Sequence, residues 1–188
     1  MRLGARLPRS FYARPTLEVA RDLLGQTLVH QAPDGTRAVR LVEVEAYLGA
    51  RDPASHAFRG ATPRNAPMFG RAGHSYVYLI YGMYWCMNVV CETPGQPGAV
   101  LLRGAEPVAG LSDDARLLAG PGKLARALGI DGRHTSLDLV RGSELSIRAA
   151  PPVPPSLVAR TPRIGLNLST TSGKRWRFIV RGSKGVSR

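Results

Sequence analysis

The chain has 188 residues, of which 44% are hydrophobic, and 26 Lys and Arg against 13 Asp and Glu give a formal net charge of +13. The hydrophobic content excludes a disordered chain, and the length fits one domain. No apolar run approaches the roughly 20 residues that span a membrane, and the N-terminus lacks the apolar stretch of a secretory signal.

The positive charge is carried almost entirely by arginine, because only Lys123, Lys174 and Lys184 are lysines. Such a surplus favours a polyanion such as nucleic acid, and the planar guanidinium matches phosphate. Arginine usage can also reflect genome composition, which says nothing about partners. Residues 1–14 are basic as well, and we predict a flexible arm that either touches DNA phosphates or is simply solvated.

Cysteine and histidine give no sign of a disulfide framework or a metal site. Cys86 and Cys91 fall in one predicted strand, and we interpret them as buried thiols in a reducing compartment. The four histidines are scattered along the sequence, at His30, His56, His74 and His134. Because no ligand spacing is visible, we expect no metal and no cofactor.

The first predicted elements are a helix and two strands. Thr16 is expected to cap the helix, whose apolar face ends before Gly25 at its C-terminus. Strands follow near 27–31 and 37–47, joined by a turn at Pro33-Asp34-Gly35. This order predicts a helix packed beside an antiparallel pair.

A long loop and an aromatic hairpin come next. Residues 49–75 are rich in Gly, Pro and Arg without periodicity, and a loop of this length in a compact domain is usually functional. The segments 76–80 and 84–90 are predicted hairpin strands around a tight turn that contains Gly82. A further strand is expected at 99–105.

The C-terminal part predicts short elements separated by a Pro-rich connector at 151–155. The expected helices lie near 112–119 and 121–129, and the expected strands near 144–149, 162–167 and 175–181. Taken together, the pattern predicts a single α+β domain over residues 1–188.

The second predicted strand carries two carboxylates on one face. Because strand side chains alternate, Glu43, Glu45 and Tyr47 share the face opposite Val42 and Val44. A carboxylate beside an aromatic ring suits glycosidic-bond hydrolysis, in which it can activate water. The same pattern also fits an ordinary solvated strand face whose glutamates pair with arginines.

The hairpin turn places Tyr81 and Met83 where they should protrude. An apolar tip on a basic protein fits a wedge that is pushed between bases in the minor groove. The alternative is a tip that packs against another loop of the same chain.

Several basic and polar positions are candidate contacts to the DNA backbone. In the long loop they are Arg59, Arg64, Asn65 and Arg71. Near a predicted helix start, Lys123 follows Gly120-Pro121-Gly122, where backbone N–H groups can hold an anion. Taken singly, each arginine also fits a solvated surface position.

Ordered blocks of characteristic residues run through most of the chain. The blocks are Val44-Glu45-Ala46-Tyr47-Leu48-Gly49, His56, Thr62-Pro63-Arg64-Asn65, Met68-Phe69-Gly70, Tyr76-Val77-Tyr78, Ile80-Tyr81-Gly82-Met83-Tyr84, Cys86-Met87-Asn88, Leu101-Leu102-Arg103, Gly120-Pro121-Gly122-Lys123-Leu124 and Arg177-Phe178-Ile179-Val180-Arg181-Gly182-Ser183. In this order they resemble the alkyladenine DNA glycosylase family, most strongly over 41–107 and continuing to the C-terminal part.

The resemblance implies roles for the catalytic and DNA-distorting residues. Glu45 matches the general base that activates water, and Arg103 matches a residue that helps to hold this water. Ile164 matches a position whose backbone carbonyl faces the water. Tyr81 matches the residue that intercalates into the DNA, with Met83 beside it.

The resemblance also implies a pocket for a flipped base. Tyr47, His56 and Tyr78 match an aromatic box that stacks on the base, and the His56 backbone N–H is expected to read its edge. Asn88 matches the side chain that crowds out the 2-amino group of guanine.

The implied protein is a monofunctional glycosylase that acts on damaged purines in double-stranded DNA. Its implied fold is one α+β domain with a curved antiparallel sheet, a protruding hairpin and surrounding helices. We expect a cytoplasmic monomer, nucleoid-associated if the source is prokaryotic. A catalytically silent lesion binder and an RNA-binding module remain as alternative hypotheses.

Overall fold

The computed structural model describes residues 3–166 and 173–187, and in this part the chain forms one curved antiparallel sheet with few helices. The helices are α1 (Arg9–Tyr12), α2 (Thr16–Leu23) and α3 (Pro121–Leu128). The strands are β1 (Thr27–Ala32), β2 (Gly35–Tyr47), β3 (Ser75–Ile80), β4 (Tyr84–Cys91), β5 (Gly98–Ala109), β6 (Leu145–Arg148), β7 (Val158–Thr161) and β8 (Arg177–Val180). The single α+β domain is therefore confirmed.

The long strand β2 organises the sheet because it pairs with three neighbours. The main path runs β3-β4-β5-β2-β1-β6. On the edge opposite β5, the first half of β2 pairs with β1, whereas Glu43–Glu45 pair with β8. Since β2 changes partner along its length, its C-terminal half lies at the point where the sheet branches.

The apolar residues of the helices cover the sheet and form a continuous core. On α2, Val19, Ala20 and Leu23 are fully buried, as expected for a helix with one apolar face. On α3, Leu124 and Leu128 pack into the same core. Burial of such side chains contributes roughly 1.5–3 kcal/mol each.

Two predicted elements are wrong. Residues 112–119 form only a 3-10 turn at Ala115–Leu118, since Gly120 leaves the helical path to donate its N–H to the Arg103 carbonyl. The strand predicted at 162–167 lies earlier, as β7, because Pro162 follows the last paired residue and has no N–H for the ladder. Residue 167 lies outside the described residues.

The predicted cap of α2 is also different. Thr16 is the first helical residue, and Pro15 occupies the cap position. Both the Thr16 N–H and its hydroxyl donate to Glu92 Oε1, at 2.8 Å each. The helix start is therefore held by a carboxylate from the β4–β5 connection.

The described part of the predicted basic arm is folded. Residues 9–12 form α1, Tyr12 is fully buried, and Leu7 is buried in the core. Arg9 donates to Asp138 at 2.6 Å. The apolar anchors between the arginines explain the difference, since they bury this segment against the domain.

Both cysteines are buried and free, as predicted. Among the described helices, none combines the length and the hydrophobicity that a membrane span requires.

Candidate active site

A pocket of about 480 Å³ opens beside the β3–β4 hairpin. This volume is suited to a ligand of nucleoside size. The lining brings together the residues predicted to hold the base, Tyr47, His56, Tyr78 and Asn88, and two residues predicted to face the water, Arg103 and Ile164. It also adds Tyr76. The hairpin turn and the start of α3 form its rim, at Tyr81 and Lys123.

Glu45 lies directly behind the pocket wall and is fully buried. Its Oε1 accepts the Ile164 N–H at 2.8 Å, and its Oε2 accepts the Tyr47 hydroxyl at 2.9 Å. Arg103 Nε lies 3.4 Å from Oε1. All three partners of the carboxylate line the pocket.

The pKa of the Glu45 carboxyl is raised above its ordinary value of 4.5. Burial is the largest cause, and it outweighs the lowering effects of the Arg103 charge, the Ile164 N–H and the Tyr47 hydroxyl. A raised pKa makes this carboxylate a stronger base than a solvated glutamate, as general-base catalysis requires.

A second buried carboxylate, Glu43, fixes Arg103. Its Oε1 accepts Arg103 Nε at 3.0 Å and Arg177 Nε at 2.7 Å, and its Oε2 accepts the Ser187 N–H at 2.6 Å. Burial lowers the pKa of Arg103, but the charges of Glu45 and Glu43 outweigh it and raise the pKa. The sequence pattern placed Glu43 beside Glu45 but gave it no role.

Two opposed β-bulges aim these side chains. Leu41 lies opposite Ala105, Glu43 opposite Gly104, and Val44 opposite Leu102. Val42 on β2 and Arg103 on β5 are therefore the extra residues. Bulges of this kind turn a side chain away from its regular direction, and they are frequent next to functional sites.

The aromatic box is assembled from the long loop and β3. The rings of His56 and Tyr78 meet edge to face, with centroids 4.5 Å apart. The Tyr76 hydroxyl lies 2.9 Å from His56 Nδ1, so Tyr76 orients the imidazole. Burial, with a contribution from the Arg64 charge, lowers the pKa of His56, which keeps its ring neutral at neutral pH.

Tyr47 is held on its outer face by an ion pair that the sequence did not reveal. The Arg163 guanidinium carbon lies 4.4 Å from the centre of the Tyr47 ring. Arg163 donates to both oxygens of Asp52, at 2.6 and 2.8 Å, and both side chains are almost completely buried. Arg163 directly precedes Ile164, so this pair also positions the backbone that binds Glu45.

The hairpin tip protrudes into solvent. Tyr81 is 78% exposed and Met83 is 66% exposed, which contradicts a tip packed against another loop. Tyr81 and Gly82 have φ values of +53° and +68°, and the Met83 N–H donates to the Ile80 carbonyl. Positive φ at both central positions is the signature of a type I′ turn.

Asn88 lies on β4 and lines the floor of the pocket. Its Nδ2 donates to the Tyr76 carbonyl at 3.1 Å, which holds the amide in one orientation.

The predicted DNA-backbone residues separate into two groups. Arg59, Arg64, Arg71 and Lys123 are exposed, and Arg64 also donates to the Leu79 carbonyl at 2.9 Å. These side chains are available to a polyanion, with Arg64 in addition bracing the hairpin.

The prediction that Asn65 contacts the DNA backbone is corrected by the structure, since the residue is only 2% exposed. Its Nδ2 donates to the carbonyls of His56 and Gly60, and its Oδ1 accepts the Thr62 N–H. With its polar groups used inside the loop, Asn65 holds the loop around His56 and is not available to a phosphate.

Comparison with known proteins assigns this arrangement to a class of DNA repair enzymes. The family model of the methylpurine-DNA glycosylases (MPG) matches residues 10–184. The chain therefore belongs to the methylpurine-DNA glycosylase family, and it is a DNA glycosylase.

Relatives of similar length support the assignment. A protein of Methanocella arvoryzae is 48% identical over 97% of this chain and 96% of its own length. A protein of Myxococcus xanthus is 49% identical over 97% and 93%, and one of Anaeromyxobacter dehalogenans is 50% identical over 97% and 86%. Each bears the name "Putative 3-methyladenine DNA glycosylase".

Proposed function

We propose that the protein extrudes damaged purines from duplex DNA and hydrolyses their N-glycosidic bond with a water activated by Glu45. The substrates we propose are 3-methyladenine, 7-methylguanine, hypoxanthine and ethenoadenine. The observation that carries the proposal is the buried Glu45 carboxylate, held by Arg103, Tyr47 and Ile164 directly behind an aromatic pocket.

Binding begins with the positively charged surface, on which Arg59, Arg64, Arg71 and Lys123 contact phosphates. Tyr81, with Met83 beside it, enters the base stack while the purine nucleotide rotates into the pocket. Damaged bases pair or stack less well, so their extrusion costs less free energy.

Inside the pocket, the base stacks between Tyr47 on one side and His56 and Tyr78 on the other. A cationic base such as 3-methyladenine gains up to about 2 kcal/mol from these ring faces when it is desolvated. The neutral state of His56 supports this role, since a charged ring would repel such a base. The His56 backbone N–H reads the base edge, and Asn88 excludes the guanine 2-amino group.

In the chemical step, Glu45 takes a proton from water as the water oxygen forms a bond to C1′ of an oxocarbenium-like sugar. The bond from C1′ to the base nitrogen breaks, and its electron pair leaves with the base. Arg103 and the Ile164 carbonyl hold the water. The products are the free base and an abasic site.

We propose a monofunctional enzyme, because the nucleophile is water and not an amine. Lys123 is distant in sequence from Glu45 but lies at the pocket rim, so it is the amine that a lyase would use as its nucleophile. Borohydride treatment during turnover is expected to trap no covalent adduct. A trapped adduct that is lost in Lys123→Ala would show a lyase instead.

The test is single-turnover excision from duplexes that carry one hypoxanthine, one ethenoadenine or one 3-methyladenine analogue. Alkaline cleavage reveals abasic sites, and Glu45→Gln is assayed in parallel. Strand breaks with the wild type alone support the proposal, and the order of rates defines the lesion range. Tight lesion-selective binding without breaks indicates a silent lesion binder, and a preference for A-form RNA without need for Tyr81 indicates an RNA-binding module.

A further inference from the structure

Three potential metal ligands, scattered in sequence, converge at the edge of the sheet away from the pocket lining. His30 lies on β1, Glu144 directly precedes β6, and His134 ends a 3-10 turn after α3. Pairing of β1 with β6 sets His30 opposite Leu145, next to Glu144. One ligand atom of each residue lies within 4.8 Å of the other two.

The His30 ring is oriented as a metal-binding histidine is. Its Nδ1 lies 2.7 Å from the Leu128 carbonyl. Because a carbonyl only accepts, Nδ1 carries the hydrogen, and Nε2 of the neutral ring presents a free lone pair. Histidine ligands of metals characteristically donate their other N–H to a carbonyl or carboxylate in this way.

His134 reaches the same tautomer when its ring hydrogen moves from Nε2 to Nδ1. Its Nδ1 lies 3.1 Å from Asp131 Oδ1 and can donate to it. The Asp131 N–H, 3.0 Å from the same nitrogen, favours the opposite tautomer. Binding of a cation at Nε2 therefore requires the ring hydrogen to move to Nδ1, where it can donate to Asp131 Oδ1, and the Asp131 N–H to turn away from the ring.

The lone pair of His30 has no hydrogen-bond partner within residues 3–166 and 173–187. The side chain is only 3% exposed, and its Nε2 faces Glu144 Oε1 at 3.6 Å. His134 Nε2 lies 3.1 Å from the same oxygen. Electron-rich atoms at these separations repel unless a proton or a cation lies between them.

The two nitrogen–oxygen separations fit a tetrahedral ion. Bonds of about 2.1 Å from one ion to an imidazole nitrogen and a carboxylate oxygen place these two atoms about 3.4 Å apart. The observed 3.1 and 3.6 Å bracket this value. Since the Glu144 side chain is 47% exposed, solvent can supply a fourth ligand.

We propose that His30, His134 and Glu144 bind one transition-metal ion, with Zn²⁺ as the best match. Two imidazoles and one carboxylate are a common zinc ligand set, whereas Mg²⁺ and Ca²⁺ take oxygen ligands. The site is distinct from the glycosylase pocket and does not depend on the proposed mechanism.

The ion joins two parts of the fold. His134 and its neighbour Thr135 support β3, because the Ser75 hydroxyl donates to the His134 carbonyl and the Val77 N–H donates to Thr135 Oγ1. The other two ligands belong to the β1–β6 edge. Zn²⁺ therefore clamps this edge to the segment beneath the hairpin, and it stabilises the folded state by binding to it alone.

The test is direct titration of tag-free, chelator-treated protein with Zn²⁺, followed by calorimetry and thermal unfolding. We expect one ion per chain and a rise of the melting temperature on metal addition. Binding of Co²⁺ should give the visible absorption of a tetrahedral site. Long-range ¹H–¹⁵N spectra should show the metal on Nε2 of both His30 and His134.

Glu144→Gln is the sharpest variant, since the carboxylate is half exposed and its loss leaves the core intact. It should weaken Zn²⁺ binding at least about tenfold without lowering the melting temperature of the metal-free protein. His30→Gln should also abolish the spectral change. Glu18→Gln, at an exposed position of α2, and His74→Gln serve as controls that bind like the wild type.

Two results would overturn the proposal. The first is a wild-type protein that takes up no stoichiometric Zn²⁺. The second is uptake that Glu144→Gln and His30→Gln leave unchanged, which would place the ion elsewhere.

Discussion

Among single residues, Glu45 is subject to two opposing effects of its buried position, desolvation and contact with polar groups. Burial raises the pKa of its carboxyl and leaves it near groups that still favour the ionised form. Keeping the carboxylate ionised, as the proposed mechanism requires, therefore costs folding free energy. Sites that trade stability for activity in this way are common in enzymes.

The first prediction concerns the pH dependence of excision. Because Glu45 must be deprotonated to act as a base, the single-turnover rate should fall as pH decreases, with a midpoint above the ordinary value of 4.5. The measurement is the rate on a neutral lesion across the acid range. A midpoint at or below 4.5 would contradict the role of the buried carboxyl.

The second prediction concerns Glu45→Gln. Its excision rate should fall by about 100-fold or more, as for loss of a general base. Its free energy of unfolding should rise, because folding raises the pKa of the Glu45 carboxyl in the wild type. Between the unfolded and folded pKa values the folded wild type binds more protons than the unfolded chain, and it therefore loses stability as pH increases. Glutamine has no carboxyl to ionise and avoids this loss.

Chemical denaturation of wild type and Glu45→Gln tests this sign. The gain of the variant should be present at neutral pH and disappear below pH 4.5, where the wild-type carboxyl is protonated in both states. A variant that is less stable at neutral pH would show that the Arg103 and Tyr47 contacts outweigh burial.

Among the secondary-structure elements, the β3–β4 hairpin has an exposed tip and a strained backbone in its turn. A tyrosine at φ +53° occupies a conformation that glycine and asparagine prefer. Strain of this kind, together with exposure, is what a residue selected for an interaction outside the chain would show.

The third prediction follows for Tyr81→Gly. The free energy of unfolding should stay equal or rise by about 1 kcal/mol, since glycine adopts this φ without strain. Excision from duplex DNA should fall, because the wedge is lost. Met83→Ala is the matched control at the same tip, where no stability gain is expected. Full activity of Tyr81→Gly would argue against intercalation.

The loop that carries His56 depends on one amide. The fourth prediction is that Asn65→Asp loses both donated hydrogen bonds, to the carbonyls of His56 and Gly60, and destabilises the protein by about 2 kcal/mol. Lesion binding should weaken because His56 loses its position. Arg59→Gln, exposed in the same loop, should leave stability unchanged. Equal stability of both variants would contradict this role.

At the scale of the whole molecule, the net charge of +13 dominates the encounter with DNA. The fifth prediction is a steep fall of affinity with salt, whose logarithmic slope decreases by about one for each phosphate contact removed. Arg71→Gln and Lys123→Gln should each show this decrease on lesion-containing and undamaged duplexes alike. Arg21→Gln, exposed on α2, is the control. An unchanged slope for Lys123→Gln would remove it from the interface.

Features that follow from local patterns could be predicted from the amino-acid sequence. Alternation and turn chemistry predicted β2, the β3–β4 hairpin and the α+β class, because these depend on side chains a few residues apart. The ordered motifs identified the family, which the comparison with known proteins confirmed. Strand alternation placed Glu45 and Tyr47 on one face, and the family resemblance gave them their predicted roles.

Which polar groups are buried together depends on the folded arrangement of distant segments. Glu43 reaches Arg177 across 134 residues of chain, and His30 meets His134 and Glu144. The Asn65 side chain points inward and bonds to carbonyls of its own loop. Tyr12, in the segment before α2, is buried in the main core. Such contacts depend on where distant elements meet, and no local pattern records the free energy of that packing.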